Sequence, residues 1–170
     1  MPIEHIAIQG LWPLLRKIPS AVGFLARGYF TRERLASLVY VDLFPRHESA
    51  RVDLAEVATF QFCLQAINLS PFELELDRAR FQLSCGGVQL EGAILNKERI
   101  ASGASTNLFF SGAIQDGQAN QIWKFREENS VSLSGNIEFN CVARQFSKRI
   151  MHLDGVKLSV INGQHRNANA

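Results

Sequence analysis

Four histidines, three cysteines, one close pair of carboxylates and one Gly-Gly step are the residues of this 170-residue chain that could do chemistry. The histidines are His5, His47, His152 and His165, and none has a metal-ligating partner three or four residues away. The cysteines stand at 63, 85 and 141, an odd number with no CxxC, so neither a zinc knuckle nor a disulfide framework is expected, and a reducing cytoplasm is the default. A nucleophilic Ser or Cys needs a positioned base and an oxyanion hole, and no GxSxG is present. Cys85 beside Gly86-Gly87 reads instead as the last core residue before a hairpin. Asp53 and Glu56 read as a solvated loop or helix start rather than a catalytic pair. Gly86, Gly87 and Gly103 lack the strand–loop–helix setting and the lysine of a phosphate loop. The expectation is no enzyme, no cofactor and no metal.

The elements around these residues divide the chain into three. Residues 1–35 carry five bases (Arg16, Lys17, Arg27, Arg32, Arg34) against Glu4 and Glu33, a balance of +3, while the remainder carries thirteen bases and fourteen acids. No run reaches the ~18 uncharged apolar residues of a membrane span. Glu4 and His5 stand where a signal peptide would have a basic region, so no signal peptide is expected. From Leu11 onward the period is helical: Leu11, Leu14, Leu15, Ile18, Val22, Leu25 and Tyr29 fall on one stripe, with Arg16, Lys17, Ser20 and Arg27 opposite. Pro19 divides this into two short helices, about 11–18 and 20–30, and Thr31 can cap one more turn. Such a basic amphipathic segment, with Leu11, Trp12, Leu15 and Phe30 as its apolar contacts, can lie on an anionic membrane surface, against other protein chains or on its own domain. The candidate membrane- or partner-binding residues are therefore Leu11, Trp12, Leu14, Leu15, Arg16, Lys17, Ile18, Val22, Leu25, Arg27 and Tyr29.

Over 36–162 the period switches to two. Val39, Val41 and Leu43 alternate with polar residues, as do Phe60, Phe62, Leu64 and Ala66. Phe72, Leu74 and Leu76 alternate likewise; the phase then slips at Asp77–Arg78, the signature of a β-bulge, and resumes at Ala79, Phe81, Leu83 and Cys85. Gly86-Gly87 turns into Val88, Leu90, Gly92 and Ile94, and Thr106, Leu108, Phe110 and Gly112 form another strand. Residues 115–128 suit a short helix or a long connection. Val131–Cys141 and about Phe146–Ile161, turning near Asp154-Gly155, supply the last strands. Seven or so short strands predict an all-β, antiparallel sandwich with a Phe-rich interior, and residues 163–170 are a polar tail. Cys63 falls on the outward phase and Cys141 on the inward one, so no bridge between them is expected. The neutral domain lacks the basic, aromatic-interleaved stripe of a nucleic-acid binder.

Phe60–Ile67, the turn Asn68-Leu-Ser-Pro-Phe72, the strand Leu74–Leu83, Gly86–Gly92 and the small-residue segment Ala101–Ser105 together resemble the late embryogenesis abundant type 2 family, also called the water-stress and hypersensitive-response domain. The turn departs from the family pattern in that Leu69-Ser70 separates the Asn from the Pro. The resemblance implies an immunoglobulin/fibronectin type III-like sandwich without a catalytic site, associated with stress protection, membrane-anchored signalling or lipid binding. The functional expectation is a non-catalytic accessory or scaffolding module, cytoplasmic and peripheral on a membrane or part of a larger assembly. Two alternatives are a carrier that holds a lipid or other apolar ligand between its sheets, and a stress-protection protein.

Overall fold

A computed structural model describes residues 28–46, 48–126, 131–153 and 155–163. Among them, two short helices, α1 (Arg32–Ser37) and α2 (Asp116–Lys124), accompany ten strands: β1 (Val39–Leu43), β2 (Ala50–Asp53), β3 (Thr59–Asn68), β4 (Leu74–Cys85), β5 (Val88–Ile94), β6 (Glu98–Ile100), β7 (Ser105–Ala113), β8 (Ser132–Asn140), β9 (Gln145–Leu153) and β10 (Leu158–Ile161). They form two five-stranded sheets. In the first, β3 pairs along its whole length with β7 on one side. On its other side it pairs with β1 over Leu64–Asn68 and with β2 over Thr59–Phe62. In the second, β4 lies between β8 and an interrupted partner made of β5 and β6, and β9 is the far edge.

The two inner faces meet through aromatic rings. Phe60, Phe62 and Phe110 of the first sheet and Phe81 of the second make a continuous line, with centroids 6.1, 4.7 and 5.2 Å apart. Phe81 fits because its neighbour on β8 is Gly135, where a Cβ would stand 2.4 Å from both the Arg80 carbonyl and the ring. Among the described residues the space between the sheets is filled by side chains with almost no exposure, such as Leu64, Leu83, Leu133 and Phe139.

The expected bulge lies where the phase slips: the β4–β8 register shifts between Leu76 and Arg78. Gly86 and Gly87 make the β4–β5 turn with φ of +55° and +72°, a region open to glycine. Residues 116–124 are helical, and α2 closes the top of the sandwich by burying Ala119 and Ile122 over that turn.

Several expectations are corrected. The sheets are not antiparallel throughout, because β10 pairs parallel with β2, Leu158 opposite Ala50 and Ile161 opposite Asp53. The stretch 146–161 is divided between sheets: after β9 the chain crosses to the other one, since β10 can cover the open flank of β2 only there. Asp53, expected in a solvated loop or helix start, is the last residue of the strand Ala50–Asp53, in which Ala50 and Val52 are buried. The core also takes Phe30 and Leu35, which precede residue 36.

Candidate functional site

The N-terminal stripe is the segment that the sequence marks for attachment. Leu11, Trp12, Leu14, Leu15, Arg16, Lys17, Ile18, Val22, Leu25 and Arg27 lie outside the described residues. Tyr29 is described and shows how the segment joins the sandwich. Its ring is 40% exposed, sits edge-on to Phe30 at 5.0 Å and lies 3.8 Å under the Arg34 guanidinium, which also donates to its hydroxyl. Phe30 turns inward and meets the Phe72 ring edge-on at 4.9 Å. Thr31 then caps α1, its Oγ accepting from the Arg34 N–H at 3.2 Å. Hydrogen bonds to the Glu33 carboxylate from its own backbone and from Thr31 lower its pKa. At the other end Lys148 of β9 donates to the Ala36 carbonyl at 3.0 Å, placing a cation where the helix dipole favours one. Residue 30 is thus a fixed anchor, held by burial and by both ends of α1.

The turn that carries the family resemblance has a structural role. Asn68 is buried, and its amide nitrogen donates to the carbonyls of Phe72 (2.7 Å), Ile100 (3.0 Å) and Ala101 (3.1 Å). Its oxygen accepts from the Ser70 N–H (2.9 Å) and the Ser70 hydroxyl (2.6 Å). The same turn receives Ser102, whose hydroxyl donates to the Ser70 carbonyl at 2.6 Å. These bonds tie the β3–β4 turn to the segment between β6 and β7.

Other chemically capable groups are occupied or dispersed. The Asp53 carboxylate accepts from the Asn162 side chain (2.9 Å) and the Ala55 N–H (3.1 Å), which together hold its pKa low, whereas Glu56 is exposed and apart. Burial pushes the Cys85 thiol up to about 11, the wrong direction for a nucleophile. Cys63, expected to face outward, is on that phase yet buried, lying in one row between Phe109 of β7 and Phe44 beyond β1. Cys141 is half-buried just past β8, its thiol directed at the Arg144 carbonyl, and all three cysteines are free. Of the histidines only His152 is described, exposed on β9. Among the described residues no three His, Cys, Asp or Glu side chains gather as a metal site, and no helix is long and apolar enough to cross a membrane.

The described residues form hollows at two places of interest. One of about 640 Å³ runs over the outer face of the second sheet, where the short Ser134 and Asn136 lie between Arg80 and Gln82 on one side and Arg149 and Met151 on the other. The second, about 400 Å³, opens at the top between α2 and β10; Cys85, Ile122, Phe125, Val131, Leu158 and Val160 line it, and Lys157 and Arg126 reach it.

Sequence reasoning missed a contrast between the two outer faces. On the second sheet Arg78 pairs with Glu138 at 3.0 Å and Lys97 with Glu75 at 3.0 Å and Asp77 at 3.6 Å. On the first, β3 and β7 carry no charged residue, and Phe109 is 71% exposed. The signal was readable, since Thr59–Asn68 and Ser105–Ala113 are uncharged in a chain that is 20% charged.

No family model matches this chain, and no curated protein does. Solved structures to which it is similar include a structural-genomics target protein (10% identity, 70% of this chain and 86% of that one, TM-score 0.48). A candidate ApaA protein from Bordetella pertussis matches at 10% identity over 68% of this chain and 86% of that one, TM-score 0.41. A candidate late embryogenesis abundant protein matches at 10% identity over 89% of this chain and 90% of that one, TM-score 0.38.

Proposed function

We propose that this chain is a non-catalytic accessory module: an immunoglobulin/fibronectin type III-like sandwich that its N-terminal segment attaches to a membrane surface or a larger protein complex. The observation that carries the reading is the anchor at Phe30. Phe30 packed on Phe72, with α1 capped at one end and met by Lys148 at the other, fixes the chain to the sandwich directly after the candidate attachment segment. The filled interior and the dispersal of titratable side chains suit a body that positions something else. Replacing Trp12 and Leu15 together by Glu tests this. Taking each apolar side chain away from a membrane or partner costs about 2 kcal/mol, before the desolvation of the new carboxylates. Release of the protein with the sandwich still folded is the expected result. Arg16→Ala with Lys17→Ala then separates the two targets: release that tracks salt and anionic lipid means a membrane surface, and a small effect means a protein partner. Unfolding of the Glu variant, with no attachment of the parent protein, would overturn the reading.

A second reading is supported by the opening beside α2. Its mixed lining, with Ile122, Val131 and Val160 beside Arg126 and Lys157, suits an anionic amphiphile rather than a ligand lodged between the sheets. Native mass spectrometry of the purified protein would show a bound mass that Leu158→Asp removes.

A further inference from the structure

The edges of the two sheets are guarded unequally. The β9 edge carries Lys148 and Arg149 and has a register shift against β8; β5 carries Glu91, β6 is three residues long with Glu98 and Arg99, and β10 is four residues long. Charge, irregularity and brevity are the means by which edges resist pairing. The residues of β7 itself supply none of them, although Glu98 of β6 accepts from the Thr106 hydroxyl and β5 packs beside the strand at Gly92 and Phe110. Its nine residues, Ser-Thr-Asn-Leu-Phe-Phe-Ser-Gly-Ala, contain no charge and no proline, and its ladder with β3 runs from Ser105 to Ala113 without a shift. Among the described strands nothing pairs with its far side.

The hydrogen-bond phase fixes what that side offers. The Cys63 carbonyl accepts from Phe44 (3.1 Å) and its N–H donates to Ser49 (3.4 Å), both away from β7. Phe109, opposite Cys63, is therefore a non-hydrogen-bonded partner of β3, and its own N–H and C=O face the open edge. At the two ends, Asn68 donates to Ala104 (2.9 Å) and Ile114 to Ala58 (2.8 Å), so the even-numbered positions are the ones bonded to β3. Ser105, Asn107, Phe109, Ser111 and Ala113 thus present a regular row of backbone donors and acceptors along the edge, with their side chains on the outer face beside the uncharged β3.

We infer that β7 pairs antiparallel with β7 of a second copy of this chain, about a two-fold axis at Phe109. That register sets Phe109 against Phe109, Asn107 against Ser111 and Ser105 against Ala113. The occupant is a second copy because the row is self-complementary. Phe109 is the midpoint of the strand and its large exposed apolar side chain, and the axis places it on its own counterpart. No charge on β7 meets a like charge when the strand meets itself. Sheets of both copies become one continuous sheet, with the ion-paired face of each left outside.

Analytical ultracentrifugation of the full chain from about 1 to about 100 μM spans the range in which a small interface forms and dissociates. The expected result is a species of twice the 19.0 kDa chain mass. Phe109→Lys puts two ammonium groups at the axis and should weaken association tenfold or more, while Tyr40→Lys, on the same face of β1, should not. Hydrogen exchange in the dimer should protect the amides of Asn107, Phe109 and Ser111. A monomer throughout the range, a dimer that survives Phe109→Lys, or a monomer whose outward amides are already protected would each overturn the inference. The last would mean that another segment of the same chain covers the edge.

Discussion

The side-chain amide of Asn68 donates to the main-chain carbonyl of Ile100 at 3.0 Å, joining the end of β3 to the end of β6. Both residues are buried. Asn68→Ala leaves the carbonyls of Ile100 and Ala101 without their side-chain donor and the Ser70 N–H without its acceptor, while the Ser70 hydroxyl still reaches the Phe72 carbonyl at 3.2 Å. A loss of about 2–4 kcal/mol is expected, read as a lower urea midpoint with the slope unchanged. Asn68→Asp restores the acceptor but not the donors, so it should be no better.

Deletion of residues 1–27 should leave cooperative unfolding intact, because Phe30, Thr31 and α1 are retained. Deletion of residues 1–34 removes the ring packed on Phe72 and the cap of α1, while Leu35, fully buried, stays behind. Differential scanning calorimetry should show a midpoint several degrees lower for the longer deletion only. Equal midpoints would mean that Phe30 contributes little to the core.

Cys85 gives stability a pH dependence whose sign follows from burial. Its folded pKa is raised from 9.0 to about 11, so the contribution is complete below about 9 and is lost as pH rises towards about 11. Over that interval the parent protein should lose on the order of 2 kcal/mol more than Cys85→Ala, measured by denaturant titration at fixed pH values. Parallel curves for the two proteins would show that the thiol is not desolvated.

Two glycines should respond to alanine in opposite directions. At Gly135 the new methyl meets the Arg80 carbonyl and the Phe81 ring at 2.4 Å, and the strand must shift. A cost of about 2–3 kcal/mol is expected. Gly117 lies in the first turn of α2 with nothing within 4 Å, so Gly117→Ala should add up to about 1 kcal/mol. Thermal midpoints of the two variants should bracket that of the parent.

The parts of the fold that were legible in the sequence are the long ones. β3, β4 and β7 repeat their two-residue period four times or more, so Phe60, Phe81 and Phe110 declared their faces, and the slip at Asp77 declared its bulge. β2 and β10 span four residues each, too short for a period to accumulate, and they find each other across more than a hundred residues. A parallel pairing at that separation has no local turn to announce it. Cys63 falls on the expected phase but on the other side of the burial boundary, because alternation does not say what stands in the neighbouring rows. Of the proposed attachment stripe, Tyr29 alone falls among the described residues, and Phe30 beside it, expected on the outward apolar face of the segment, is instead buried against Phe72. The uncharged run of β7 was visible as composition. That it borders an open edge depends on strand order, which no single strand encodes.

The parallel β2–β10 pair also decides how this domain bears load. Phe30 lies beside the β3–β4 turn, and Ile161 stands in register with Asp53 and Thr59 at the opposite end of the first sheet. Tension between the two ends therefore runs along the strands, and the ladders that join β10 to β2 and β1 to β3 are strained in shear. Their hydrogen bonds must break together rather than one after another. Pulled between Phe30 and Ile161, the domain resists as a clasp, not as a zip.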